Sequence, residues 1–428
     1  NIYLGTGNEY IDMFSNSMDF AGLYFNTDHK RMEVKGYTLR KDTADPYIMA
    51  LLNSGKHRMK AHEILSGRTA LYTNIGFSNP VTFVKELENA LAVHDPQWCE
   101  SYRSSRKKIE SLFDISLEEN FLSWMSGEFA IIQSEPGLLG HDPELILAIG
   151  AKSIKDARKN MEFIEKKIRR RTPLRIKTVD YKGFEINYVE MKGFFRLFFG
   201  GLFDKFEKPY YTYVDDYVVF SNKASSLLSF IEDYDQKKLL KDNPGFKNAF
   251  SYLNSSSTVF LYTDVHKFYY QLKPMMNAVT WGEIQSDKEI VYSFPYWTMQ
   301  ITGDGQSASL QCVMDYKPYQ PEEAAVAVVV DDEADEVMNE DAETEKEQMS
   351  ELQRFYVEKF EGNVLREFYP EGALKSEAEV KEGKRHGRYR EYYENGKLKL
   401  RGKYGNNIPK GTWKYYTEEG EFERKEKY

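Results

Sequence analysis

The chain has 428 residues, 41% hydrophobic and 29% charged, which is length for about three domains and ample material for a core. No apolar run approaches the roughly 18 residues of a spanning helix. Two cysteines exclude a disulfide framework or a Cys-based zinc module, and seven scattered histidines argue against a His-rich metal site. The net charge of −9 resides in one tract: 331–347 holds ten acids and one lysine, so the rest of the chain sums to zero.

In chain order, 20–27 and 31–40 read as two strands around the turn Asp28–Lys30, the second alternating Met32, Val34 and Gly36 with charged neighbours. A short strand at 69–77 follows. Pro80 opens a helix to about Val93, with Val84, Leu87 and Leu91 on one face. Helical patterning continues over 102–113 and 117–125. GEFAIIQSE and ELILAIGA are then two apolar strands, and Ser153 with Asp156 caps a helix over 153–168. The same order recurs: strands at 210–214 and 217–221, then a helix over 223–234. Each unit ends in Phe-Ile-Glu, which suggests a duplicated strand–strand–helix; chance similarity explains it equally well. Helices at 244–253 and 266–278 and strands at 257–264, 289–294 and 296–302 follow, with SLQCVMDYK as the last. Strands and helices without regular βαβ alternation predict an α+β body over 1–320 with largely antiparallel sheets.

Residues 1–318 resemble, over most of their length, a bacterial domain family of unknown function found in envelope proteins. The resemblance is carried by YKGFEINYVEMKG, PYYTYVDDYVVFSNKASSLLSFIE, the Asp-Asn-Pro-x-Phe step at 242–246 and STVFLYTDV. It implies no activity. It does imply a cell-envelope or periplasmic location with an anchor upstream of Asn1, although a cytoplasmic location stays open. Residues 321–350 read as a solvated acidic linker, with an acidic interaction tail as the alternative.

Beyond the linker, 351–428 repeats. Gly372, Gly396 and Gly420 recur every 24 residues, as do Leu374, Leu398 and Phe422, and Gly387 with Gly411. The unit is a β-hairpin, with Asn395-Gly396 expected as a type I′ turn and the other repeat glycines also expected in turns. In the strand after the turn, Leu398, Leu400, Gly402 and Tyr404 face one way and Lys397, Lys399, Arg401 and Lys403 the other. These residues resemble the variant MORN repeat in YYENGKL…GKY, KGTWKYYTEEGEF and FYPEGALKSEAEV…HGRY. Proteins with such repeats often carry an antitoxin label; others of the wider class are credited with lipid or protein binding.

Residues 383–414 hold ten Lys/Arg and two Glu. Lys384, Arg385, Arg388, Arg390, Lys397, Lys399, Arg401 and Lys403 are the candidate polyanion-binding residues. The alternative is the ordinary solvated face of an alternating sheet. Other signals are weak. Ser104-x-x-Lys107 and Ser105-x-x-Lys108 lack companion motifs. His57 and His62 miss the i,i+4 spacing of paired ligands. The run 194–203 (FFRLFFGGLF) is too short to span a bilayer and is either an exposed patch or buried. The resulting expectation is a non-enzymatic, envelope-associated protein with no cofactor. Its tail binds a protein partner or an anionic membrane surface, and no nucleic acid. An antitoxin-like binder and an enzyme with its site in the body are the alternatives.

Overall fold

The computed structural model describes residues 16–137, 143–171, 178–188, 206, 210–276, 278–319, 364–368, 374–381, 384–405 and 408–428. The chain divides into two compact units, Asn1–Ala324 and Ala325–Tyr428. The acidic tract and the 194–203 run lie outside the described residues.

The first unit is built on one twelve-stranded sheet. Its strands are β1 (Met18–Asp28), β2 (Arg31–Arg40), β3 (Thr69–Gly76), β4 (Met125–Ser134), β5 (Glu144–Ala151), β6 (Val179–Tyr181), β7 (Phe184–Tyr188), β8 (Tyr210–Val214), β9 (Tyr217–Ser221), β10 (Val259–Asp264), β11 (Tyr296–Gly303) and β12 (Ser307–Asp315). They lie in the order β1-β2-β12-β11-β10-β3-β4-β5-β9-β8-β7-β6, every neighbouring pair antiparallel. The fold is α+β. Helices α1 (Pro46–Asn53), α2 (Pro80–His94), α3 (Pro96–Phe113) and α4 (Ile154–Arg171) supply one layer. Asn79 caps α2 by accepting from the Val81 N–H, with Pro80 in the first turn, where its missing donor costs nothing. Ser153 Oγ accepts from the Asp156 N–H ahead of α4. The stripe Ala157, Met161, Ile164 and Ile168 packs α4 into a core with Leu147, Ile149, Val218 and Phe220.

The strand–strand–helix order does occur twice, as β4–β5–α4 and β8–β9–α5 (Ala224–Asp235), with β5 and β9 neighbours in the sheet. The helices nevertheless take opposite faces. Helix α4 lies over Leu147 and Ile149. Helix α5 reaches, through Asp233, the arginine that also binds Glu144, which alternates to the other face of β5.

Two sequence expectations fail locally. The stretch 289–294 is no strand: Lys288–Tyr292 forms a short helix, closed where the Ser293 N–H donates to the Glu289 and Ile290 carbonyls. The apolar Ile-Val-Tyr run carried a strand propensity that tertiary context overrode. The helical pattern at 117–125 yields one π-type turn, Glu118–Leu122, before β4 begins. Cys99 and Cys312 are both free thiols.

The second unit is a six-stranded antiparallel meander: β13 (Val364–Phe368), β14 (Leu374–Lys381), β15 (Lys384–Tyr392), β16 (Leu398–Gly405), β17 (Ile408–Tyr416) and β18 (Phe422–Lys427). One face carries Ala378, Tyr389 and Trp413, buried, with Leu400, Tyr404 and Tyr415 against them. Tyr404 sits edge-on to both Tyr389 (5.3 Å) and Trp413 (5.0 Å). Gly402 makes this possible, because a Cβ there would lie 2.2 Å from Trp413 Cδ2.

The turn chemistry differs from expectation. Gly396 has φ +78°, but Asn395 is not left-handed, so the turn is not type I′. The Gly396 N–H donates to the Tyr393 carbonyl, and the Tyr393 N–H to the Lys397 carbonyl. This is a three-residue loop, a type I turn followed by a left-handed glycine. Thr417 to Glu421 repeats it around Gly420. Gly387 and Gly411 are not in turns at all. They lie inside β15 and β17 with φ +119° and +73°, where the register against β14 and β16 shifts. The second glycine series therefore marks a recurring β-bulge. Gly372 lies outside the described residues.

Candidate functional site

The face of the tail sheet opposite the aromatic cluster is cationic. Cα pairing places Arg390 opposite Arg401, Arg401 opposite Lys414, and Lys414 opposite Lys425. A second row pairs Arg388 with Lys403 and Lys403 with Lys410. Lys427 lies opposite Thr412. All eight cations are exposed. Like charges directly opposite one another destabilise a sheet, so chance alternation does not favour four in a row. Strands about 4.8 Å apart then present these cations at a spacing that suits a surface of closely spaced negative groups.

Only one end of the face is neutralised. Glu379 Oε1 accepts from Arg388 Nε at 2.6 Å, and Glu377 Oε1 accepts from Arg390 Nη1 at 2.7 Å. The backbone N–H and then the guanidinium of Arg388 hold the Glu379 carboxyl below its ordinary value. The carboxylate of Glu377 raises the Arg390 guanidinium above its own. Among the described residues, no carboxylate forms an ion pair with Arg401, Lys403, Lys410, Lys414, Lys425 or Lys427.

The eight candidates from the sequence therefore divide. Arg388, Arg390, Arg401 and Lys403 share the cationic face. Arg385 does not: its guanidinium lies over the rings of Tyr389 (4.8 Å) and Tyr404 (5.5 Å), on the aromatic side. Lys397 belongs to the turn, where its Nζ donates to the Glu419 carbonyl of the next turn. Lys399 is half-buried and paired with Glu391 at 2.7 Å. It departs because the register shifts between Glu391 and Tyr392. Nothing is described of the Lys384 side chain. Lys425 and Lys427 escaped the sequence reading, although they continue Arg401 and Lys403 by one 24-residue period.

The body buries a few of its carboxylates, Glu128, Glu144 and Asp233 among them. Arg68 Nε donates to Asp233 Oδ2 (2.7 Å), its Nη2 pairs with Glu144 Oε2 (2.9 Å), and its Nη1 donates to the Glu135 carbonyl (2.5 Å). Burial works against the Arg68 charge, but Glu144 and Asp233 outweigh it and raise the guanidinium pKa. Burial also pushes the Glu144 carboxyl up, against the pull of Arg68. A second buried carboxylate, Glu128, accepts from the Lys60 and Ala61 N–H groups (2.8 and 3.0 Å) and from Tyr217 OH (2.6 Å). Burial again raises its pKa, opposed by these three donors. Every donor in this group comes from a distant element, so both networks fasten the fold.

The dismissed motifs do not converge. Half-buried His62 packs against Phe246 and Phe250 at 5.5 and 4.8 Å, while His57 Nδ1 donates to the neighbouring Arg58 carbonyl. Ser104, Lys107 and Lys108 line a shallow, open depression along α3. Among the described residues no group of three metal-ligating side chains forms, and no helix is long and apolar enough to cross a membrane.

Residues 135–294, from the end of β4 to just before β11, match a family described as a protein of unknown function (DUF3352). This is an uncharacterised domain family. No curated protein and no solved structure matches the chain.

Proposed function

We propose that this chain is a binding protein of the bacterial envelope whose tail attaches it to an anionic surface, with the α+β body as the attached module. The observation that carries the reading is the ladder Arg390–Arg401–Lys414–Lys425, four cations opposite one another on four adjacent strands. A merely solvated face gains nothing from that arrangement and loses by mutual repulsion. Each Lys or Arg held near an anionic bilayer adds about 1 kcal/mol of attraction, so the six cations without a carboxylate partner suffice for firm attachment. The resemblance of the tail to the MORN variant repeat agrees with a binding role, and the envelope resemblance of the body agrees with a membrane as the surface.

The test is sedimentation of the full chain with vesicles of neutral lipid and of neutral lipid mixed with phosphatidylserine. The reading expects binding to the mixed vesicles alone, weakening as salt screens the charges over about 10 Å at 0.1 M. Equal binding to both vesicle types, or none to either, would overturn it.

A further inference from the structure

Among the described residues, the two main sheets have four outer edges, and three are blunted against strand addition. Strand β6 has only three residues. Strand β13 carries Arg366 and Glu367, and β18 reads FERKEK. Short strands and edge charges are the ordinary defences of an open ladder. Strand β1 has neither. It runs eleven residues, MDFAGLYFNTD, without Lys, Arg or Pro, and its acids stand near the ends at Asp19 and Asp28. No described strand pairs with its outer edge.

This edge exposes large apolar side chains on both faces, with the Lys35–Glu33 ion pair of β2 beside Tyr24 on one of them. Leu23 (44% exposed) and Phe25 (62%) lie on one face, opposite Gly36 and Val34 of β2. Tyr24 (67%) alternates to the other, which also carries Tyr37 (70%) and Leu39 (43%) of β2. Lipid would meet one apolar face but leave the free N–H and C=O groups of the edge unsatisfied. Another strand satisfies both needs at once.

We propose that β1 is the docking edge for a second copy of this chain, the two β1 strands pairing antiparallel about a twofold axis. The strand is self-complementary. A twofold perpendicular to the sheet keeps every side chain on its own face, so residues can oppose only those an even number of positions away. Centred on Tyr24, the axis sets Leu23 against the partner's Phe25, and Phe25 against the partner's Leu23, on one face. Tyr24 meets the partner's Tyr24 on the other. Asp28 falls opposite the partner's Phe20, and Asp19 passes beyond the partner's strand, so no like charges face each other. Apolar and aromatic cross-strand pairs of this kind are what stabilise an antiparallel ladder. The product is one sheet continuous through two bodies.

The test uses the full chain, with mass in solution followed by light scattering at rising concentration. The expected result is a dimer that Leu23→Lys with Phe25→Lys converts to a monomer with unchanged circular dichroism. Should that variant fail to fold, cysteine pairing decides. With Cys312 changed to Ser, Tyr24→Cys should oxidise to a disulfide-linked dimer, because a residue on the axis faces its own mate. Asn26→Cys, whose mate is Gly22, should not. A chain that stays monomeric at every concentration overturns the proposal. So does a dimer in which Tyr24→Cys fails to cross-link or Asn26→Cys links equally well.

Discussion

Arg68 and Arg401 are the same residue type in opposite situations. In the body, Arg68 lies between Glu144 and Asp233, and its removal would leave two carboxylates facing each other out of water. In the tail, Arg401 lies between Arg390 and Lys414 on an exposed face, and its removal would relieve repulsion. The body uses charge to fasten elements distant in sequence. The tail holds charge where it works against the fold and is available to a partner. Removing the one arginine or the other should therefore move stability in opposite directions.

The largest expected effect is in the body. Arg68→Met should destabilise it by about 3–5 kcal/mol, since breaking a buried ion pair by deleting one partner strands the other. Chemical denaturation monitored by body fluorescence reads this, and adding Glu144→Gln and Asp233→Asn should recover part of the loss. A shift near zero would mean that the network does not fasten α5 to the sheet. Next comes the aromatic side of the tail. Gly402→Val should cost about 1–3 kcal/mol by forcing Trp413 off its seat, with the body transition unchanged. Gly396→Val should fall in the same range of about 1–3 kcal/mol, because a β-branched residue is strained at positive φ.

The smallest effect is the pH response of the tail. The Glu379 carboxyl is held below its ordinary value of 4.5. A lowered carboxylate pKa adds stability that is complete above the unfolded value and disappears as pH falls through the folded one. The tail should accordingly loosen slightly on acidification below pH 4.5, and Glu379→Gln should flatten that response. A tail transition equally steep in the variant would assign the pH dependence to other carboxylates.

The two regions also differed in how far the sequence could be read. The 24-residue period exposed the hairpins and the alternation of Arg401 and Lys403 with Leu400 and Gly402, since each strand pairs with its neighbour in sequence. The period could not reveal that Asn395-Gly396 belongs to a three-residue loop, because that loop and the type I′ turn use the same residues. Nor could it distinguish a turn glycine from the bulge glycines Gly387 and Gly411, both of which need positive φ. In the body the strands and capped helices were legible from alternation, Pro80 and Ser153. The Arg68 network was not, because Asp233 is 165 residues away and nothing local marks the pair. That β1 stands at an edge is likewise a fact of sheet order, which no strand carries in its own residues.

The most direct test of the account joins folding and binding in one variant. Arg401→Glu with Lys425→Glu makes the signs alternate along the row, with Arg390 and Lys414 left positive and each facing a carboxylate on the neighbouring strand. Cross-strand attraction should then replace repulsion and raise tail stability by about 0.5–1 kcal/mol. The same change should reduce binding of the full chain to phosphatidylserine vesicles by roughly 1,000-fold, since two attractive charges are lost and two repulsive ones gained. Stability rising while binding falls is the predicted result. Unchanged binding, with or without the stability gain, would contradict the claim that this face exists to hold an anionic surface.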